Sequence, residues 1–482
     1  MRKQLWIILL LGILLALAVS LGYWWWTPRL LSVSPAAQSA NVPAGAEVRL
    51  DFSRLMQTGS LESRLSFEPA MPGAYSWQGY TLVFKPAQPW PAGVTVQARL
   101  QPGARASGIL SLPLTRGLDW SFTIRQPSII YLYPASDPAS LTIQNPVSGA
   151  VRSLVSLASA VADFDLSADG SQLYYSVRQE NGTKIYRLSL VDQQPTPVTP
   201  GVATPIAGQP GSGEQTPELV LDCADALCDA LALSPQGDYL AYERGLLPGS
   251  GQFESFQVWV LPLGSAGPSQ AYLAGADDHQ TISPAWSSAG MLAFYDSTAK
   301  AYIFLQPGAG ERGRFPNQTG QGGVWRPGGE QFLAPEIVFV DTGSSSASGL
   351  EPRADSHLIL YDLESQTTQD LTPEEGIEDT SPVFSPDGKF LAFARKYLDA
   401  QRWTPGRQLW LAQVDTRLAR PLTSEPLYNH YQFAWSLSGE QLAYERFNQG
   451  ALTEPPEIWV MDLLSGSQSR LVVDGYSPRW TP

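Results

Sequence analysis

Only three histidines occur in 482 residues, His279, His357 and His430, so few side chains can exchange a proton near neutral pH. Two of them have polar company. Asp277-Asp278-His279 and Asn429-His430 each precede a strand, and Glu378-Asp379 holds the same place before a third. Gathered at one mouth, these carboxylates and imidazoles would suit a divalent cation or a basic peptide. Taken one by one they are solvated loop residues. His357 opens a strand and is expected at the surface. No Gly-x-Ser-x-Gly elbow occurs, and the Ser-rich run 343–349 reads as an inserted polar loop. Ser167-Ala168-Asp169-Gly170 imitates a Ser-x-Asp-x-Gly box but reads as a turn. No catalytic residue, resident metal or cofactor is expected. Cys223 and Cys228, five positions apart with no second pair, make a poor zinc site. A small-ring disulfide in an oxidising compartment fits them better, with two free buried thiols as the alternative.

The elements that must carry these residues repeat. Ser381-Pro382-Val383-Phe384-Ser385-Pro386-Asp387-Gly388-Lys389-Phe390-Leu391-Ala392-Phe393 returns in worn form near residues 163, 230, 283, 323 and 432. Each copy is an apolar strand, a turn ending in Gly and a second strand reading Leu-Ala-aromatic; Gly suits the left-handed position of such a turn. A third phrase, as in Ile458-Trp459-Val460-Met461-Asp462, alternates with period two. Hairpin, third strand and a short outer strand make one blade of a β-propeller. Residues 477–482 are a lone inner strand and 141–155 a blade lacking one, so the two ends are expected to complete one blade. The count is then seven blades, or six if two weak copies merge. In a propeller the connections into the inner strands share a face, which would bring Asp277, Asp278, His279, Glu378, Asp379, Asn429 and His430 to the mouth of the central channel.

The formal net charge of −14, with Lys and Arg totalling 31, argues against a nucleic-acid partner. Leu5 to Trp26 is free of charge and long enough for a bilayer, with Arg2 and Lys3 before it. It is read as a single-pass transmembrane anchor behind a cytoplasmic tail of residues 1–4, placing everything after residue 26 outside the cytoplasm; a cleaved signal peptide is the competing reading. The Pro-rich stretch Gln193–Pro217 reads as a low-complexity loop.

Residues 29–126 read as short strands without the propeller phrase. Asp51-Phe52-Ser53, Phe67-Glu68-Pro69 and Trp120-Ser121-Phe122-Thr123 resemble bacterial Ig-like domains of the surface-layer type, which implies a spacer or adhesive module. The phrase at 381–393 resembles the TolB-like repeat, over about residues 127–482. That resemblance implies protein–protein binding in the periplasm or outside the cell, although the Tol protein carries an N-terminal α/β domain that this chain lacks. The expected whole is all-β after the anchor: a membrane-tethered, non-enzymatic envelope protein that binds a protein, peptide or glycan. A propeller hydrolase or lyase using the mouth residues is the alternative.

Overall fold

The computed structural model describes residues 26–481 except 109, 137, 156–159, 191–215, 247–254, 265–269 and 341–352. The chain divides into two compact units, one ending at Gln126 and one running from Pro127 onward.

The first unit holds two four-stranded sheets. Leu30–Ser34, Val48–Phe52, Thr81–Pro86 and Gly73–Gln78 form one, and Ser39–Val42, Leu118–Ile124, Thr95–Leu100 and Leu65–Glu68 the other. Period-two alternation decides what faces inward: along Thr95–Leu100 the residues Val96, Ala98 and Leu100 are buried and their neighbours are not. Trp90 sits in the core between the sheets, 5.3 Å from Phe67 and 5.7 Å from Phe122 ring to ring. Its indole N–H donates to the Ala46 carbonyl at 2.9 Å, so the buried ring leaves no orphaned donor.

The second unit contains seven four-stranded antiparallel units among the described residues. Six are continuous in sequence, with inner strands Val161–Leu166 (blade one), Ala226–Leu233 (two), Thr281–Trp286 (three), Val324–Trp325 (four), Ile377–Phe384 (five) and Tyr428–Trp435 (six). Blade seven is composite: Tyr476–Trp480 pairs antiparallel with Ile129–Tyr133, which continues into Ser140–Gln144 and Val151–Ser153. Seven apolar clusters follow one another around the ring, each drawn from two consecutive blades. Phe304 with Tyr361 joins three to four, Leu333 with Phe393 four to five, and Leu132 with Phe164 joins seven back to one. No blade buries its faces alone; the ring does.

Two devices hold the inner strands. The indole N–H of Trp286 donates to the Ala232 carbonyl of the preceding blade (2.9 Å), Trp325 to Ala285 (3.0 Å), Trp435 to Val383 (3.2 Å) and Trp480 to Ala434 (3.0 Å). The second device is a bulge. Ala230, Ser283, Ser381, Gln432 and Ser477 all adopt φ between 51° and 57°, left-handed values costly for a residue with a side chain. Carboxylates of neighbouring blades secure some of them: Ser283 N–H donates to Glu243 (2.7 Å) and Ser477 N–H to Glu445 (3.1 Å). The Cys223–Cys228 disulfide, Cα to Cα 6.4 Å, ties the end of blade one's outer strand to blade two's inner strand.

The membrane topology requires correction. Among the described residues no helix is long and apolar enough to cross a membrane. The span read over Leu5 to Trp26 lies outside the described residues apart from Trp26, as do the tail 1–4, the run 343–349 and most of the stretch 193–217. The transmembrane helix is therefore removed from the fold class, and with it the membrane-anchored family reading, the membrane partner and the single-pass location built on it.

Candidate functional site

Each blade runs inner strand to outer strand as an antiparallel meander, so the connections into the inner strands lie on one face, with those between second and third strands. The residues singled out from the sequence are on that face, but they fall into two separate groups.

In blade three, Asp277 and Asp278 are exposed, whereas His279 turns back to place Nδ1 2.5 Å from Asp296 Oδ2. That hydrogen bond lifts the His279 imidazole above its ordinary range, with desolvation opposing. In blades five and six the group is bound by arginines. Asp379 is fully buried and accepts from Arg395 Nε (2.8 Å) and a terminal nitrogen (2.7 Å). The Arg395 guanidinium also lies 4.7 Å from the Trp410 ring centre. Glu378 pairs with Arg407, whose main-chain N–H donates to Asn429 Oδ1 (3.1 Å). His430 is fully buried: Nδ1 meets the Arg407 carbonyl at 2.8 Å and Nε2 meets Glu425 at 3.2 Å. The His430 hydrogen bond, opposed by burial and reinforced by Arg446, holds Glu425 down at about 2. Among the described residues no hydrogen bond or ion pair joins the blade-three group to the other. Nor is any group of three His, Cys, Asp or Glu placed there to hold a metal ion.

His357 is not at the surface. The strand begins earlier, at Arg353, and His357 lies in its middle with 4 % of its area exposed.

A second set of carboxylates, not singled out from the sequence, lies between the inner strands. Asp163 and Asp165 of blade one accept the Leu231 and Leu233 N–H groups of blade two at 2.7 and 2.8 Å. Burial pushes Asp163 up to about 6, against its bond from the Leu231 N–H and the charge of Arg479. Glu243 is raised by burial too, with Asp229 and Asp163 adding repulsion. Glu445, under Tyr431 and the Ser477 N–H, is pushed up by burial from 4.5 to about 7. The available signal was Leu-Ala-Tyr-Glu, which occurs at both 240–243 and 442–445. These acids satisfy the backbone at the bulges and interblade edges and are structural in what they contact.

Glu445 yields a pH prediction. Its folded pKa lies above the unfolded one, so the folded state holds a proton the unfolded state has released between about 4.5 and 7. The resulting stability is full below pH 4.5 and is lost as pH rises through 7. Over pH 5 to 8 the wild type should lose about 2 kcal/mol more than Glu445→Gln in denaturant melts. Parallel pH profiles for the two proteins would show that Glu445 titrates normally.

Comparison with known proteins adds the following. No curated protein matches the chain. TolB from Acinetobacter baumannii superposes with a TM-score of 0.42 at 13% identity, covering 81% of this chain and 80% of that one. An oligogalacturonate lyase in complex with manganese gives 0.43 at 14%, covering 72% and 85%. The dihydro-heme d1 dehydrogenase NirN gives 0.45 at 13%, covering 73% and 74%. These values carry nothing about ligand or chemistry to this chain. In the first unit the match is to a family: residues 27–124 fit the model of the bacterial Ig-like domain.

Proposed function

We propose that this chain is a non-enzymatic binding protein whose ring of blades presents one face to a protein or peptide, with the Ig-like unit as a spacer or second adhesive module. One observation carries the reading. On the face of the inner-strand connections, His279 and His430 are tied to partners inside the fold, while large apolar side chains stand exposed. Trp403 is 52 % exposed, Leu427 50 % and Leu452 72 %. Their loops are contiguous: Gly406 N–H donates to the Pro426 carbonyl and Gln449 N–H to the Leu427 carbonyl. Exposed Trp and Leu set among charged residues are what a protein interface buries at its centre. Asp277 and Asp278, on the same face, favour a basic partner. A hydrolase or lyase would need an acid and a base within about 3 Å of one substrate position. His279 and His430 instead face Asp296 and Glu425.

A photo-crosslinking residue placed at Trp403 should capture a discrete partner, and one at Leu418, exposed between third and fourth strands on the opposite face, should not. Trp403→Ala with Leu452→Ala should weaken the recovered complex at least about tenfold without changing the melting temperature. Equal capture from both faces, or capture indifferent to the double substitution, would remove this face as the binding surface.

A further inference from the structure

Blades four and five are the one adjacent pair joined by a strand-to-strand β-bridge among the described residues. Ser356 pairs in parallel with Glu378, and Ser356 Oγ donates to the Asp379 carbonyl at 2.9 Å. His357 is next in sequence. Its Nδ1 is 2.7 Å from Asp370 Oδ2 on blade four's outer strand, while the buried Nε2 has no hydrogen-bond partner and lies 4.0 Å from Asp355 Oδ2. Charged groups approach from every element packed here. Asp355 and Arg353 share the strand, Glu336 is directly opposite on the second strand, and Asp379 with Arg395 comes from blade five. Three carboxylates, Asp370, Asp355 and Asp379, thus act on the ring, while Glu336 at the opposite register position is held by the Gln318 and Ile337 N–H groups.

We propose that His357 is a proton-operated latch on the seam between blades four and five. With the ring protonated, both N–H groups face carboxylates and the seam is closed. With the ring neutral and its remaining proton on Nδ1, the Nε2 lone pair faces the Asp355 carboxylate, and the seam opens locally. Burial pulls the imidazole pKa down, but Asp370, Asp355 and Asp379 together leave it above the ordinary 6.5. The sign follows: closure is complete below 6.5 and is lost as pH rises through the folded value.

The test is made on the full-length chain. With labelled histidine, the His357 ring signal is identified by its loss in His357→Gln, and its midpoint should lie above 6.5 and fall in Asp370→Asn. Amide exchange along Arg353–Asp362 and Ile377–Phe384, corrected for the chemical rate, should rise by up to about tenfold per pH unit between the two midpoints. Ala301–Gln306 of blade three, a strand without carboxylates, should rise no more than the propeller as a whole, and His357→Gln should abolish the excess at the seam. A His357 midpoint at or below 6.5, or seam amides following the Ala301–Gln306 profile in the wild type, would overturn the latch. The wild-type measurements stand even if a variant fails to fold.

Discussion

Removing residues 475–482 should unfold the propeller while leaving the Ig-like unit with its own melting transition. The strand Tyr476–Trp480 is eight residues or fewer from the end of the sequence, yet it pairs with Ile129–Tyr133 and so closes the ring. Trp480, 6 % exposed, packs with Tyr131, Ile458 and Val460, and its indole N–H reaches Ala434. Thr481 exchanges hydrogen bonds with Ser128, main-chain N–H to carbonyl at 2.8 Å and the Ser128 N–H back to its hydroxyl at 3.0 Å. Losing one buried Trp costs about 3–5 kcal/mol. Losing the strand as well exposes the inner edge of Ile129–Tyr133 and a face of blade six, against a total stability of about 5–15 kcal/mol for a typical domain. Calorimetry of intact and truncated chains checks the expectation, and a peptide of residues 475–482 added in trans should restore part of the lost transition. A truncated chain melting like the intact one would mean that blade seven is not held by its composite strand.

The propeller part of this architecture is legible because its signal repeats. The Gly of each hairpin turn, among them Gly237, Gly290, Gly388 and Gly439, has φ between 69° and 79°, so the same residue type recurs at the same strained turn. The aromatic that closes the inner strand is also positional: Trp286, after Ser-Pro-Ala, and Trp435, after Gln-Phe-Ala, each reach the neighbouring inner strand. What sequence does not show is pairing across long separations. Asp379 reads as a loop carboxylate because its partner Arg395 lies on another strand, and only the register of Ile377–Phe384 against Phe390–Tyr397 brings them face to face. His357 fails in the same way. Arg353-Ala354-Asp355-Ser356 looks polar enough for a loop, but it is the start of a ten-residue strand paired along its full length with Gln331–Val340. The mouth constellation shares a face, as blade topology requires, while local pairing draws each member toward its own blade. Topology fixes which loops are neighbours; hydrogen bonds decide which side chains are free.

Asp379→Ala is expected to be the most damaging single substitution on that face. The carboxylate is fully buried, and Arg395, 3 % exposed as a side chain, is held by two bonds to it and one to Glu374 at 2.8 Å. Burial alone raises the Asp379 carboxyl, and the guanidinium opposes that rise. Truncation removes the countercharge and leaves a cation between Phe393 and Trp410 with Glu374 alone. An uncompensated buried charge costs about 3–5 kcal/mol, whereas replacing both partners with apolar groups of similar volume is often neutral. Asp379→Leu with Arg395→Met should therefore recover much of the stability that Asp379→Ala loses, even though it changes more atoms. Denaturant melts of wild type, Asp379→Leu, Arg395→Met and the double variant give the coupling energy directly, with Asp379→Ala measured alongside. A loss under about 1 kcal/mol for Asp379→Ala would show that water or Glu374 replaces the missing carboxylate. A double variant no better than the single one would show that the Asp379 carboxylate is needed for its hydrogen bond with Thr372, not for charge balance.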